Sequence, residues 1–174
     1  MKKTVSLLVC ALLLLSSVTA LAVTRDFGMV KINEIMASNG ETLEDSKGKS
    51  CDWFELWNTS DDDIDLSGLN LSDGKKNLQK FTFPEGVVLA KGAYMVIFCS
   101  DYEQVETLAD GTVEIHVPFK LSASGEKVVV SFQDVILDNV KFDQQQKDVS
   151  YARKDDGGWA FCDTPTPGAE NKFE

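Results

Sequence analysis

Two carboxylates and a single histidine are the side chains of this sequence best suited to acid–base chemistry. Glu34 and Glu55 lie in two strand-like runs, and paired carboxylates on adjacent strands can serve as general acid and base in glycoside hydrolysis. His116 is the only histidine of the chain, so a Ser–His or Cys–His catalytic pair would have to include it. Each of these residues therefore defines a testable catalytic hypothesis.

Four aspartates close together in the sequence suggest a cation site. Asp61, Asp62, Asp63 and Asp65 offer several oxygen ligands within one short turn, and calcium prefers six to eight oxygens in a flexible arrangement. Their spacing matches no EF-hand or other calcium loop. The alternative is a solvated β-turn, and the same two interpretations apply to Asp155–Asp156.

Two tryptophans lie in the run from Asp52 to Asn58, which we predict to be a strand. Phe54 and Leu56 fall on one face, which we expect to be the core face. Trp53 and Trp57 then project outward, about 7 Å apart, because side chains two positions apart share a face. Together with Tyr94 they could stack on a sugar or a peptide. The alternative is that a loop or another strand covers them.

The catalytic hypotheses lack supporting motifs. No G-x-S-x-G elbow accompanies His116, and no cysteine lies in a nucleophile context. A compact sandwich offers no cleft by default, and Glu34 and Glu55 could instead accept hydrogen bonds from the backbone or a cation such as Arg153. We therefore expect a protein that is not an enzyme and has no catalytic residues.

The elements that must position these groups are short strands. The first, Val30–Met36, is expected to place Val30, Ile32, Glu34 and Met36 on one face. Roughly eight or nine strands, with turns every 8–12 residues, predict an all-β, two-sheet sandwich. After the first two runs, the further strand candidates are Ala93–Cys99, Val113–Phe119, Lys127–Phe132, Val135–Phe142 and Val149–Arg153.

An ordered set of short motifs resembles the bacterial branch of the lamin tail domain family. The matching segments are Ile32–Asn39, Asp52–Asn58, Ile64–Gly68, Leu71–Asp73, Phe83–Gly86, Phe119–Ser122, Ser150–Arg153, Gly158–Phe161 and Thr164–Asn171. The resemblance covers about Met29 to Asn171. It implies an immunoglobulin-like β-sandwich that is not an enzyme and binds other macromolecules. The partner of this chain would then be supplied by another molecule.

The N-terminal residues predict export. Lys2 and Lys3 precede an apolar run that is too short to span a bilayer comfortably, and Ala20–Ala22 forms an A-x-A cleavage site. We expect residues 1–22 to be a cleaved signal peptide and residues 23–174 to be one secreted domain with an extended C-terminal tail. We expect no membrane span in this mature form.

The net charge of the chain limits the kinds of partner that it can bind, and its cysteine count limits the possible disulfides. The formal net charge is −11, and losing Lys2 and Lys3 makes it −13 (−11 − 2). Such a chain repels phosphate backbones, so nucleic acid is not an expected partner, unless a basic patch around Lys75, Lys76 and Lys80 dominates.

The three cysteines that remain after signal-peptide cleavage allow one disulfide with a free thiol, or three buried thiols. These are Cys51, Cys99 and Cys162.

The sequence thus predicts a secreted interaction module that binds a protein or a cell-surface polymer. The alternative is a carbohydrate-binding module that uses Trp53 and Trp57, assisted by calcium. A third hypothesis, from a different class, is a small hydrolase that uses Glu34 and Glu55.

Overall fold

The computed structural model describes residues 23–173, and it consists almost entirely of strands. The predicted signal peptide lies outside these residues. The strands, numbered in chain order, are β1 Val23–Thr24, β2 Val30–Met36, β3 Asp52–Asn58, β4 Asp63–Asp65, β5 Asn70–Ser72, β6 Phe81–Thr82, β7 Val88–Leu89, β8 Tyr94–Cys99, β9 Gln104–Thr107, β10 Val113–Val117, β11 Glu126–Phe132, β12 Val135–Phe142, β13 Ser150–Arg153 and β14 Trp159–Cys162.

The only helical element in this range is a 3-10 turn at Phe27–Met29. No helix of the described residues has the length and apolarity needed to cross a membrane. The predicted bounds of β2 and β3 are confirmed. The structure has fourteen strands where eight or nine were predicted, because several are pairings of two to four residues that leave no periodic pattern.

Three sheets make up the sandwich. A seven-stranded sheet has the order β14-β13-β2-β3-β8-β10-β9, and a four-stranded sheet has the order β12-β11-β5-β6. A small third sheet contains β1, β4 and β7. Most neighbouring strands are antiparallel, whereas β8 pairs with β10, and β1 with β4, in parallel. The predicted all-β, immunoglobulin-like β-sandwich is confirmed, with a small third sheet in addition to the two that were predicted.

The main core consists of apolar side chains from all three sheets. Phe54 and Leu56 of β3 are fully buried in it, as their predicted face requires. Other fully buried members are Val30, Ile32, Ile35, Ile64, Leu66, Leu69, Leu71, Ile97, Ile115, Val117, Val128 and Val130. This face of the seven-stranded sheet is its inner face, and we call the opposite side its outer face.

An irregularity in β2 changes which residues share a face. Ile32 pairs with Leu56, but the next pair is Glu34 with Glu55, so the register shifts at Asn33. A bulge of this kind inserts one extra residue and reverses the alternation beyond it. The prediction that Glu34 and Met36 face the same side as Val30 and Ile32 is therefore wrong. Ile35 takes the inner position, and Glu34 lies on the outer face beside Glu55.

A second, smaller apolar cluster lies on the outer face. It contains Met36, Cys51, Trp53 and Phe98, with Leu43 packed against it from the loop between β2 and β3. Cys51, Cys99 and Cys162 are all buried and free, so of the two cysteine arrangements the structure has three buried thiols. The loop between β2 and β3 thus adds a layer to the sandwich at this end of the sheet.

Candidate functional site

The outer face has an open end formed by one row of side chains. Lys31 of β2 lies opposite Trp57 of β3, and Trp57 lies opposite Tyr94 of β8. Side chains opposite one another on adjacent strands are close enough to interact. The Trp57 and Tyr94 rings stack with centroids 5.8 Å apart and planes inclined by 13°. All three side chains are partly exposed.

A cavity of about 240 Å³ opens beside this row. Trp57 and Tyr94 form its aromatic wall. Its other lining residues include Lys31, Asn33, Arg153, Lys154, Glu170 and Asn171. Ligand sites typically combine an aromatic wall with a few polar groups that fix orientation, and this cavity has that composition.

Charged groups of both signs surround the cavity. Lys31 makes no ion pair with any described residue, whereas Lys154 pairs with Asp156 at 3.3 Å. Arg153 is 3.0 Å from Asp138 and lies over the Trp159 ring, 5.0 Å from its centroid. The cavity can therefore present a free ammonium group to a polar ligand, next to an aromatic surface. The side-chain amides of Asn33 and Asn171 donate to Glu55 and to backbone carbonyls instead.

Trp53 does not contribute to this cavity. It lies on the outer face as predicted, but the expectation that it projects into solvent is wrong, because its side chain is fully buried in the cluster under the loop between β2 and β3. Its indole Nε1 has no hydrogen-bond partner among residues 23–173. Of the two tryptophans singled out in the sequence, the structure leaves only Trp57 partly accessible.

The two glutamates are brought together, as the carboxylate hypothesis requires. Glu34 and Glu55 are cross-strand partners, and both side chains are fully buried. Burial raises the pKa of Glu34. Burial also raises the pKa of Glu55 to about 8, against hydrogen bonds from Asn33 and Gly168 that lower it, and the charge of Glu34 raises it further. Full burial keeps substrates away from both carboxylates in this structure.

The C-terminal segment covers the glutamates. The Thr166 amide donates to both carboxylate oxygens of Glu34, at 3.2 and 3.1 Å, and the Gly168 amide donates to Glu55. Ser150 Oγ also donates to Glu34, and Asn33 Nδ2 donates to Glu55 at 2.8 Å. The expected backbone hydrogen bonds are present.

Arg153, the cation suggested by the sequence, does not bind the glutamates. Its guanidinium donates to the Ile32 carbonyl at 2.9 Å and to Asp138 at 3.0 Å. No described cation forms an ion pair with Glu34 or Glu55, so hydrogen-bond donors alone oppose the effect of burial on their pKa values.

His116 belongs to a hydrogen-bonded chain that the sequence did not reveal. Ser100 Oγ lies 2.6 Å from its Nδ1, and Glu114 Oε1 lies 3.0 Å from its Nε2. Glu114 and His116 are two positions apart and therefore lie on one face of β10, so the sequence could have predicted that they are neighbours. Ser100 comes close to them only because β8 pairs with β10.

This Ser–His–Glu chain is closed to substrates. His116 is fully buried, and the rings of Phe98 and Tyr102 stack on it with centroids 5.2 and 4.8 Å away. Burial raises the pKa of Glu114, but hydrogen bonds from His116 and Ser46 outweigh that effect and lower it overall. Ser46 lies in the loop between β2 and β3, and its amide and hydroxyl groups donate to Glu114. These hydrogen bonds attach the loop to β10.

Three of the four aspartate side chains have local partners, and Asp62 forms hydrogen bonds through its backbone. Asp61 lies 2.8 Å from the Lys91 ammonium group, and Asp63 accepts a hydrogen bond from the Lys91 amide. Asp65 accepts hydrogen bonds from Ser67 and Arg25, which lower its pKa to about 2. No cluster of three acidic, histidine or cysteine side chains suited to a metal occurs within residues 23–173. Calcium binding by Asp61, Asp62, Asp63 and Asp65 stays a prediction.

Comparison with known proteins assigns the chain to a family. A family model described as Lamin Tail Domain matches residues 24–152. The matched range runs from β1 into β13 and includes Trp57, Tyr94 and both glutamates, whereas β14 and the C-terminal segment lie beyond it. No curated protein matches the chain.

Proposed function

Because the chain belongs to the lamin tail domain family, we propose that it is a secreted, non-enzymatic interaction module that binds a protein or a cell-surface polymer. The family match supports an immunoglobulin-like interaction module. Secretion is proposed from the N-terminal sequence, which has the three regions of a signal peptide. The partner and its attachment point are proposed from the surface chemistry of the domain.

The observation that supports this function most directly is the Trp57–Tyr94 stack at the mouth of the outer-face cavity. Aromatic side chains contribute a large contact area at a low cost in conformational entropy, and they are enriched at binding hot spots. Lys31 lies opposite Trp57 and forms no ion pair with a residue that the structure describes, so a carboxylate or another anionic group of a partner could bind there.

A pull-down with matched variants tests the proposal. The purified protein is used as bait against the envelope and culture fluid of the producing organism, alongside Trp57→Ala and Phe161→Ala. Phe161 is the control, because it is an exposed aromatic residue, 50% accessible, outside this cavity. We expect the unmodified chain and Phe161→Ala to retain a common partner and Trp57→Ala to lose it. Retention of that partner by Trp57→Ala would contradict the proposed site.

Carbohydrate binding is the second candidate, and the same aromatic stack supports it. The burial of Trp53 removes the two-tryptophan platform, but Trp57 and Tyr94 still offer a paired aromatic surface. Affinity electrophoresis against a panel of polysaccharides, with and without calcium, separates the candidates. Retardation that is lost in Trp57→Ala would favour a carbohydrate partner. Retardation that EDTA abolishes would favour calcium at the aspartate turn.

A further inference from the structure

Residues 164–171, which we call the C-terminal cover, lie over the middle of the outer face. In each of their hydrogen bonds to the rest of the described chain, the donor or the acceptor belongs to a side chain. Thr166 and Gly168 donate to Glu34 and Glu55, and Asn171 Nδ2 donates to the carbonyls of Asn33 and Arg153. No backbone–backbone hydrogen bond joins the cover to a strand of the described chain. Segments held this way open at a lower free energy than sheet strands.

The tip of the cover separates two cavities. Glu170 and Asn171 line the cavity beside Trp57, and Gly168 lines a second cavity of about 380 Å³. Val96, Phe98 and Leu108 give the second cavity an apolar wall, and Tyr94 lines both cavities. Because Glu34 and Glu55 lie directly beneath the cover, lifting it would join the two cavities across these carboxylates.

We propose that the C-terminal cover is releasable, that the Glu34–Glu55 pair is its latch, and that its opening turns the two cavities into one groove. The role of this opening in regulating partner binding rests on the proposed function. The opening itself is a property of the chain alone.

Proton release from the latch determines whether a rise in pH opens or closes the cover. In the closed state Glu55 has a pKa of about 8, and in water a glutamate returns to about 4.5. A carboxyl group whose pKa is higher in the closed state than in the open state binds its proton more tightly in the closed state. Rising pH through this window therefore favours the open state, in which water hydrates both carboxylates. Falling pH favours closure.

The neighbouring charged groups do not offset this effect. Glu34 faces Glu55 from β2, and Glu170 of the cover is a further carboxylate near this site. Burial and the nearby carboxylates raise the pKa of Tyr94 of β8, which keeps its phenol neutral. Cys162 of β14 is near Glu34, and its pKa is raised by burial and by that charge. Arg153 of β13 is engaged by Asp138, and Lys31 lies one step along β2 from the bulge. Within the described part of the chain, the latch therefore has carboxylate neighbours and no cation that forms an ion pair with it.

Hydrogen–deuterium exchange of the full protein tests the proposal. Protection factors, corrected for the intrinsic exchange rate, are compared for a peptide covering residues 163–173 and one from β3, between about pH 6 and about pH 9. We expect protection of the cover to fall with pH, by at most about tenfold per unit for each proton released, while β3 stays protected. Constant protection of the cover across this range would overturn the proposal.

Two variants identify the titrating group. Glu55→Gln removes the ionisation of Glu55, so the pH response of its cover should be smaller than that of the unmodified chain. Glu170→Gln changes an exposed carboxylate of the same segment and should respond like the unmodified chain. A pH response of normal size in Glu55→Gln would also overturn the proposal. The readout requires no partner, so Trp57→Ala, which should lose the partner, should keep the pH response; the two proposals can thus fail separately.

Discussion

Trp53 and Trp57 occupy equivalent positions of one strand and have different roles. Both point to the outer face of β3, but Trp53 is fully buried beneath the loop between β2 and β3, whereas Trp57 remains partly exposed beside a cavity. The burial of an indole contributes to stability, and a partly exposed indole beside a cavity is available for recognition. The same residue type therefore serves the fold at one position and the proposed function at the other.

Replacing each tryptophan by alanine should separate these roles. Trp53→Ala removes a large buried side chain, so we expect the free energy of unfolding to fall by about 3–5 kcal/mol. Trp57→Ala should cost about 1 kcal/mol, because its side chain is already partly solvated. Denaturant unfolding followed by circular dichroism measures both changes.

Trp53→Phe is the control for the first of these variants. It keeps most of the buried ring and removes the indole N–H, which has no hydrogen-bond partner. It should therefore cost clearly less than Trp53→Ala. Equal losses for Trp53→Ala and Trp57→Ala would contradict the assignment of Trp53 to a core cluster.

At the scale of elements, the β11–β12 hairpin shows how a turn limits stability. Gln133 and Asp134 connect the two strands, and both have positive φ angles, of 47° and 65°. A two-residue turn with both residues in this region is of type I′, which favours asparagine and glycine. The strands and their register are well specified, but the turn residues are not those that this geometry prefers.

Asp134→Gly should therefore stabilise the protein. Glycine adopts a positive φ without steric cost, so we expect the free energy of unfolding to rise by about 0.5–1 kcal/mol. The substitution also removes an exposed hydrogen bond from Gln79 at 3.2 Å, whose contribution is small because it is solvated. The midpoint of urea unfolding measures the change, and a lower midpoint would contradict the turn assignment.

The start of the same hairpin predicts the opposite effect. Gly125 has a φ of 108°, and a Cβ there would lie 3.0 Å from the Phe142 carbonyl oxygen. Gly125→Ala should therefore lower the free energy of unfolding by about 1–3 kcal/mol. Gly111→Ala is the matched control, since it also has a positive φ but no atom within 4 Å of the added methyl group. Equal losses in the two variants would show that contact with Phe142 adds no cost.

At the scale of the whole molecule, stability should be highest in mildly acidic solution. The pKa of Glu55 is about 8 in the folded chain against 4.5 for an unburied glutamate, so the folded state binds the extra proton between these values. The contribution of Glu55 to stability is then complete below about pH 4.5 and is lost as pH rises through about 8. Thermal unfolding across this range should give a falling melting temperature, and Glu55→Gln should flatten the decline.

Acid should destabilise the molecule for the opposite reason. Asp65 and Asp148 have pKa values of about 2, because hydrogen bonds from Ser67 and from the Glu41 amide, respectively, stabilise their charged forms. Their contribution is present above about pH 3.8 and is lost as pH falls through about 2. In Asp148→Asn, the free energy of unfolding should fall less as the pH is lowered. The segment from Gly40 to Thr42 should also become more mobile, and faster chymotrypsin cleavage after Leu43 would report this. Unchanged acid stability in Asp148→Asn would contradict this role.

The sequence by itself determined the local structure of this protein. The period-2 alternation in Val30–Met36 and Asp52–Asn58 placed both strands with correct bounds, and it placed Phe54 and Leu56 in the core. The ordered turns and motifs were enough for the family and the sandwich. These features depend on neighbours a few residues apart, and a single sequence contains that information.

Only the tertiary structure decided which outer-face residues are accessible. The bulge at Asn33 moved Glu34 beside Glu55, the loop between β2 and β3 folded back over Trp53, and a segment 132 residues along the chain covered Glu34. Ser100 met His116 through the pairing of β8 with β10. Each outcome depends on contacts between segments whose positions are set by the packing of the whole chain, and strand periodicity is the same whether or not a loop or a tail lies over the strand.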